Sequence, residues 1–361
     1  MEQCSCASGY RHDRRRFIIG EVETAAGVVP QVATDLTMGD RLGGVRVRMN
    51  LRRMGYRVAP GLYAIGCPNA GSPVLVTANY KLTFDCLRAE LSRVDAWVLV
   101  LDTRGVNVWC AAGKGIFSTD GLVRQVKTAR LGSVVNHRTL IVPQLGATGV
   151  AKQRVREECG FSVVYGPVRA ADLPSFIAAG MKATPEMRLV RFGLRDRAAV
   201  IGVEVSVVWD WRVIVAAVVA AFLVGLAGSH LLSPADYGVR LGITYGLFVL
   251  SIVGGAVLVP LGLPLIPGRS FSVKGALVGA VLAAAAVTAL HEIVPVIALI
   301  GIFLAVTAFS SYVAMNFTGS TTFTSPSGVQ KEMRRALPLQ VAGILGAVVL
   351  FIAQLGVSLA T

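Results

Sequence analysis

The C-terminal 151 residues constrain this chain more than any other feature. From Trp211 to Thr361 only seven Lys or Arg and three Asp or Glu interrupt an otherwise apolar run, a composition that belongs in lipid rather than water. Stretches long enough to cross ~30 Å of hydrocarbon are found at Val213–Leu232, Leu241–Leu263, Gly275–Leu290, Ile293–Met315 and Leu339–Leu359. An all-α transmembrane domain of five helices over residues 212–361 is therefore expected. The third stretch is short and is parted from the fourth only by His291 and Glu292, with Pro295 favouring a turn, so a re-entrant pair is an alternative to two full crossings. Small residues recur at Gly254-Gly255, Gly275, Gly279 and Ala283 to Ala286, and permit close helix packing. Transport paths carry ionisable groups inside the spans. Here His230, His291 and Glu292 lie only at span ends, which predicts an anchor or docking platform.

Residues 1–210 are different, with 28 Lys or Arg against 18 Asp or Glu, and they hold ten of the fourteen net positive charges. Nucleic acid is one partner for such an excess, but an anionic leaflet or an acidic redox partner accounts for it equally well. Arg212, Arg269, Lys274, Lys331, Arg334 and Arg335 flank one set of loops and Arg240 alone the other, so the soluble domain is expected in the cytoplasm and Thr361 outside. The first residues, MEQCSCASGYRHDRRRF, have no apolar run behind the arginines and do not read as a signal peptide. Disorder is expected over 1–20, because Cys4 and Cys6 lack the second pair that a zinc site needs. Six scattered cysteines in a reducing compartment argue against a disulfide framework.

Within the soluble domain, taken as residues 21–200 with a linker at 201–211, short apolar runs alternate with amphipathic stretches from Leu62 to Val168. Strands are predicted at 62–66, 74–79, 96–103, 139–144 and 162–167. Helices are predicted at 84–94, 120–130, 150–158 and 170–180. This rhythm implies an α/β, Rossmann-like domain with a mostly parallel sheet. Ligands of such sheets sit beyond the carboxyl ends of the strands, which directs attention to Thr77–Thr83, Thr103–Lys114, Pro143–Gly149 and Tyr165–Arg169.

One of these segments, Asn107-Val108-Trp109-Cys110-Ala111-Ala112-Gly113-Lys114-Gly115, follows a strand and is closed by glycines. It can hold about two turns of helix, stopped by Gly113 and Gly115. Cys110 falls in the first turns, where free backbone N–H groups favour a thiolate, which is a nucleophile or a metal ligand. A small hydrophobe packed beneath a helix is the other reading of the same cysteine. Gly113-Lys114-Gly115 lacks the frame of a phosphate-binding P-loop. His137, the candidate base for a cysteine protease, reads as a strand-edge residue, and Glu157-Glu158 reads as a solvated helix face beside Arg154 and Arg156.

The segment NVWCAAGKG resembles the cap-helix signature of the HgcA family, the membrane corrinoid protein of microbial mercury methylation. The resemblance extends to PGLYAIG at 60–66, SPVLVTANYKLTFD at 72–85, HRTLIVPQLGATGV at 137–150, VVYGPVRAADLPSFIAAGMKATPEMR at 163–188 and NFTGSTTFTSPSGVQKEMR at 316–334. It implies a corrinoid-dependent methyltransferase that forms methylmercury from Hg(II), with a cobalamin-type corrinoid bound base-off. Cys110 would ligate cobalt and be the catalytic residue. Asn107, Val108, Trp109, Ala111 and Gly113 would face the corrin, and Thr77 and Thr83 match the polar positions of a neighbouring loop. Gln144, Leu145, Gly146 and Ala147, with Tyr165, Gly166, Pro167 and Val168, would close round its rim and tail.

Implied partners are the membrane, Hg(II), a methyltetrahydrofolate-linked methyl donor, and a ferredoxin-like iron–sulfur protein that supplies electrons and is a candidate to hand over Hg(II). No nucleic acid is implied. The chain has no CxxCxxC spacing for a cluster of its own, and its basic face with the loop Asn316–Arg335 is the expected docking surface. A corrinoid methyl carrier with another acceptor, and a non-catalytic five-span protein with a ligand-sensing cytoplasmic domain, are the competing expectations.

Overall fold

A computed structural model of the chain describes residues 17–206, 211, 214–215, 234–318 and 326–360. Cys4, Cys6, His12, His230, all but two residues of the first expected span and part of the loop Asn316–Arg335 lie outside the described residues. Two compact units meet in sequence at Arg191 and Phe192.

The first unit is a seven-stranded sheet. Its strands are β1 (Ile18–Thr24), β2 (Gly27–Val32), β3 (Gly61–Ile65), β4 (Val74–Ala78), β5 (Ala96–Leu101), β6 (Thr139–Val142) and β7 (Ser162–Tyr165), in the order β1-β2-β3-β5-β4-β6-β7. β5, β4, β6 and β7 run parallel. Every residue of β4 and β5 is buried, as expected of strands covered on both faces. β3 is antiparallel to β5. The eight residues from Gly66 to Pro73 are too few for a crossover helix, and they return the chain at the edge where β3 ends and β4 begins.

Helices cover both faces. On one, α2 (Lys81–Ala89) and α7 (Leu173–Ala178) bury Phe84, Leu87 and Phe176 with Leu75, Val98 and Val100. On the other, α3 (Val108–Gly113), α4 (Thr119–Thr128), α5 (Leu131–Val134) and α6 (Lys152–Cys159) bury Val108, Ala111, Leu122 and Val155 with Val76, Ala78 and Leu99.

Two differences from the sequence reading stand out in this unit. The chain is ordered into β1 from Ile18, inside the stretch 1–20 expected to be disordered, because Phe17 is buried with its ring 5.6 Å from Phe84. The other is a buried charge cluster. Arg88, fully enclosed on α2, ion-pairs with Asp85 at 2.8 Å and with Asp40 of α1 (Met38–Arg48) at 2.9 Å, and donates to the carbonyls of Ala33 and Asp35. Lys81 pairs with the same two carboxylates at 2.6 and 2.7 Å. Burial alone would raise the Asp40 pKa, but hydrogen bonds from Lys81 and Thr37 and the Lys81 charge outweigh it. They hold this carboxyl well below its ordinary 3.8. Burial, then the Asp85 and Asp40 charges, push the neighbouring Tyr56 hydroxyl upward.

The second unit is helical: α8 (Leu194–Val205), α9 (Pro234–Ile252) continuing through a π-helical turn (Val253–Leu258) to Leu261, α10 (Phe271–Leu290), α11 (Val296–Phe317) and α12 (Pro326–Ala360). Four helices among the described residues are long and apolar enough to cross a membrane: Gly238–Leu261, Phe271–Leu290, Val296–Phe317 and Ser327–Val357. The α/β domain joined to an all-α apolar region is thus the architecture observed. Residues 194–205, expected as the domain's end and linker, form α8 and belong to the helical unit. There the buried Arg197 finds its acceptors on the carbonyls of Pro260 and Leu261. The third expected span is a full 20-residue helix rather than a short one. Lys274 lies inside it, buried, with Nζ turned back onto the carbonyls of Leu263 and Ile266.

The glycines make the close packing. A methyl group added at Gly279 would stand 2.7 Å from the Ser310 Cβ and 3.0 Å from the Thr307 Cα, and one at Gly275 would stand 2.7 Å from the Ser310 carbonyl. Gly254 and Gly255, in the π-helical turn, meet the same serine at comparable distances. Ser310 is fully buried.

Two outcomes follow. Gly279→Leu should lower the thermal stability of the detergent-solubilised protein by an overpacking cost of about 1–3 kcal/mol, while Gly238→Leu, whose added side chain meets open space, should change it little. Asp40→Asn should destabilise the α/β unit by about 3–5 kcal/mol, because it leaves Arg88 and Lys81 buried and short of a partner. Because the Asp40 pKa is lower folded than unfolded, its contribution is fully present above the unfolded value and fades as pH falls below about 3.8. Acid unfolding of wild type and Asp40→Asn should therefore converge at low pH.

Candidate functional site

Because β5, β4, β6 and β7 are parallel, their carboxyl ends share one edge, and the segments singled out in the sequence all leave from it. The chain passes from β4 to its neighbour β5 and then back across β4 to β6. Such a reversal opens a crevice between the loops on either side. Helix α3 is the element the fold places there, packed against the turn Gln144–Gly146 that follows β6.

The loop from β5 to α3 is tightly determined. Arg104 and Gly105 both have left-handed backbones, at φ 57° and 77°, which is unusual for arginine. Asp102 Oδ1 accepts the Arg104 N–H at 3.0 Å. Asn107 is the helix N-cap, and its Oδ1 accepts the Cys110 N–H at 2.9 Å, the bond a capping asparagine is suited to make. Cys110 is therefore the third residue of a six-residue helix that ends at Gly113. Gly115, with φ 69°, then turns the chain. The Cys110 thiol is half-buried and has no hydrogen-bond partner among the described residues. Val108, Ala111 and Ala112 point into the core. Trp109 is half-exposed beside Cys110, and Gly113 and Gly115 face open space where a Cβ would stand. The third residue of α3 is thus a half-buried thiol at this edge of the sheet.

Two glycines let the next loop close under α3. A methyl group at Gly146 would lie 2.6 Å from the Phe117 ring and 3.3 Å from Val108, and one at Gly149 would collide with the Phe117 carbonyl and lie 3.3 Å from the Ala112 Cα. Thr119 stitches the same junction, donating its N–H to the Gly149 carbonyl at 3.0 Å and accepting the Ala151 N–H at 2.9 Å. Gln144, Leu145 and Ala147 are half-buried, with the Gln144 side-chain Oε1 accepting from Arg188 at 3.0 Å. At the end of β7, Tyr165 lies on the α3 face and donates to the Val150 carbonyl at 2.6 Å, with Lys152 4.4 Å over its ring. Burial raises its pKa and keeps the hydroxyl a donor. The Gly166 and Val168 amides bond to Val142 and Met187, and Pro167 is buried.

Thr77 and Thr83 are placed differently. Thr77 is buried in β4 opposite Val100, so strand alternation puts it on the α2 side of the sheet, away from α3. Thr83 is half-buried in the first turn of α2. The residue the sequence reading missed is Asn79, just past β4 and 1% exposed. Its Oδ1 accepts the Thr103 and Gly105 N–H groups at 3.1 and 2.9 Å, and its Nδ2 donates to Asp102 at 2.9 Å. His137 lies at the start of β6, the opposite edge from Cys110. Its Nδ1 accepts the Thr139 N–H, which leaves Nε2–H to donate to the Ser72 carbonyl. It is not a base for Cys110.

Residues 50–177 match the family described as CO dehydrogenase/acetyl-CoA synthase delta subunit. That segment contains β3 to β7 and all four strand-end loops. Among curated relatives, the acetyl-CoA decarbonylase/synthase complex subunit gamma of Methanopyrus kandleri is 35% identical over 122 residues, 33% of this chain and 26% of the relative. The corrinoid/iron-sulfur protein large subunit of Moorella thermoacetica is 31% identical over 127 residues, 35% of this chain and 28% of the relative. The chain thus spans about a quarter of the length of these relatives.

Gly149→Ala should displace α3, since the Phe117 carbonyl cannot yield without breaking the junction. A stability loss of about 1–3 kcal/mol and faster alkylation of Cys110 are expected, whereas Gly132→Ala, in α5 where an added methyl group makes only ordinary 3.6 Å contact with Arg138, should leave the alkylation rate unchanged.

Proposed function

We propose that the α/β unit binds a corrinoid at the carboxyl edge of β5, β4, β6 and β7, with Cys110 as the cobalt ligand, and that the protein is a corrinoid-dependent methyltransferase acting on Hg(II). The observation that carries this is the half-buried Cys110 on the glycine-bounded α3, its thiol without a hydrogen-bond partner among the described residues, inside the residues 50–177 that match the CO dehydrogenase/acetyl-CoA synthase delta subunit family, in a chain similar to a corrinoid/iron-sulfur protein. The residues present suit such a group: a soft sulfur donor, open space beside Gly113 and Gly115, and a half-exposed Trp109 able to lie against a flat ring.

Once bound, a corrinoid supplies a cobalt centre that carries a methyl group. The chain's own contribution is electronic and positional. Thiolate is a strong, soft donor, and axial ligation is one of the main levers a protein has on a metal cofactor. Electron density from Cys110 would favour release of the methyl with carbanion or radical character, as an electrophile such as Hg(II) requires. Asn107 fixes the turn that carries the sulfur. Gly146 and Gly149 hold the adjoining loop beneath α3, and the loop after β7 would close the rim. Cys110 would hold the cobalt in place of the cofactor's own base.

Electrons would come from a ferredoxin-like iron–sulfur protein and the methyl group from a methyltetrahydrofolate-linked donor, with the apolar helices anchoring the α/β unit at the cytoplasmic face of the membrane. That the relatives are subunits of acetyl-CoA decarbonylase/synthase complexes favours a second reading, a methyl carrier whose acceptor is not mercury.

The test uses anaerobically purified full-length protein loaded with cobalamin, supplied with reductant, a methyl donor and Hg(II). Methylmercury should form. Cys110→Ala should abolish it and change the corrinoid spectrum, while Cys86→Ala and Cys159→Ala should leave both intact. Corrinoid binding with methyl transfer only to other acceptors would favour the carrier, and full activity in Cys110→Ala would overturn the assignment.

A further inference from the structure

We infer that Asn79 is the positioning residue of this site: it clamps the loop between β5 and α3 from the neighbouring strand and so fixes where the Cys110 sulfur stands. The inference rests on the proposed corrinoid site. No hydrogen bond of Asn79 reaches Cys110 directly.

Within residues 102–107 part of the polar groups is satisfied locally. The Arg104 N–H goes to Asp102, the Val106 N–H goes to the Thr103 carbonyl at 3.0 Å, and the Thr103 hydroxyl lies 2.6 Å from the Val106 carbonyl. The N–H groups of Thr103 and Gly105 both end on the single Asn79 Oδ1. The Thr103 hydroxyl, 2.9 Å from the same oxygen, is shared between it and Val106. The amide orientation is fixed by this arrangement. Turned over, its NH₂ would face two N–H donors and its oxygen would face the Asp102 carboxylate.

Asn79 is itself held, because its carbonyl accepts the Val58 N–H at 2.9 Å. One buried side chain thus ties the exit of β4 to two consecutive left-handed residues that would not otherwise hold their shape. Two residues further on, Asn107 starts the helix that carries Cys110. Removing the Asn79 amide leaves two buried N–H groups unsatisfied, and a loop in that state has reason to rearrange.

The experiment compares wild type, Asn79→Ala, Asn79→Asp, Asn79→Asp with Asp102→Asn, and the core variant Val126→Ala in the full chain. Two quantities are read: the fraction of added cobalamin with thiolate-ligated cobalt, from its absorbance spectrum, and amide hydrogen exchange over 103–112 without cobalamin. Asn79→Ala should bind cobalamin yet lose about tenfold in the ligated fraction, with exchange at Thr103 and Gly105 about tenfold faster. Val126→Ala should lower the melting temperature and leave the ligated fraction unchanged. Asn79→Asp sets two carboxylates against each other and should fail like Asn79→Ala. Adding Asp102→Asn removes the repulsion between carboxylates but turns an NH₂ toward the Arg104 N–H, which the Asp102 oxygen otherwise accepts, so it should recover the ligation only in part. A wild-type ligated fraction in Asn79→Ala overturns the inference whatever its stability. If wild type binds no cobalamin, the proposed corrinoid site fails, and the exchange data alone decide whether Asn79 clamps the loop: unchanged exchange overturns it.

Discussion

Parallel pairing of β5, β4, β6 and β7 forces each connection to carry the chain back across the sheet before the next strand can begin, so four loops leave from the same edge. The reversal of direction after β5 sends the chain that follows β4 into α2 on one face and the chain that follows β5 and β6 into α3 and α6 on the other, and the site grows where those loops part. Asn79 and Asn107 shape the exit of β5. Gly146 and Gly149 let the exit of β6 pass beneath the helix. Cys110 is left half-buried at the edge, where the proposed cobalt ligand would be needed.

Both faces of that sheet are anchored, by different means. On the α3 side the packing is apolar, from Val108 through Leu122 to Val155. On the α2 side it surrounds a buried cluster of Asp40, Lys81, Asp85 and Arg88, in which two cations and two anions are paired. Buried ion pairs are weak sources of stability but costly to break, and this one links α1 to the start of α2 immediately after β4. The helical unit is built on a contrasting rule. With little hydrophobic drive between helices in lipid, closeness matters most, and Gly254, Gly255, Gly275 and Gly279 bring three helices to the single buried Ser310.

Much of this was legible in the sequence, for identifiable reasons. The central strands read clearly because strands covered on both faces are continuous apolar runs such as Val74–Ala78 and Ala96–Leu101. The β1–β2 hairpin and α1 did not, because they are half-exposed and carry a diluted apolar pattern. Lys274 hid the first turn of α10, since its charge is neutralised by carbonyls that only the folded turn supplies. Cys110 and Asn107 stood out between glycines. Asn79 could not, because its partners lie 23 to 26 residues further on and are set by which strands neighbour each other. Thr77 shows the reverse error, a polar residue at a strand end whose alternation turns it toward α2.

The central claim is a bond between the Cys110 sulfur and cobalt, and cobalt K-edge X-ray absorption on the anaerobic, cobalamin-loaded full-length protein tests it most directly. The account predicts a sulfur scatterer in the first coordination shell of wild type and only nitrogen or oxygen in Cys110→Ala. A wild-type shell without sulfur, or one that keeps its sulfur when Cys110 is removed, would contradict it.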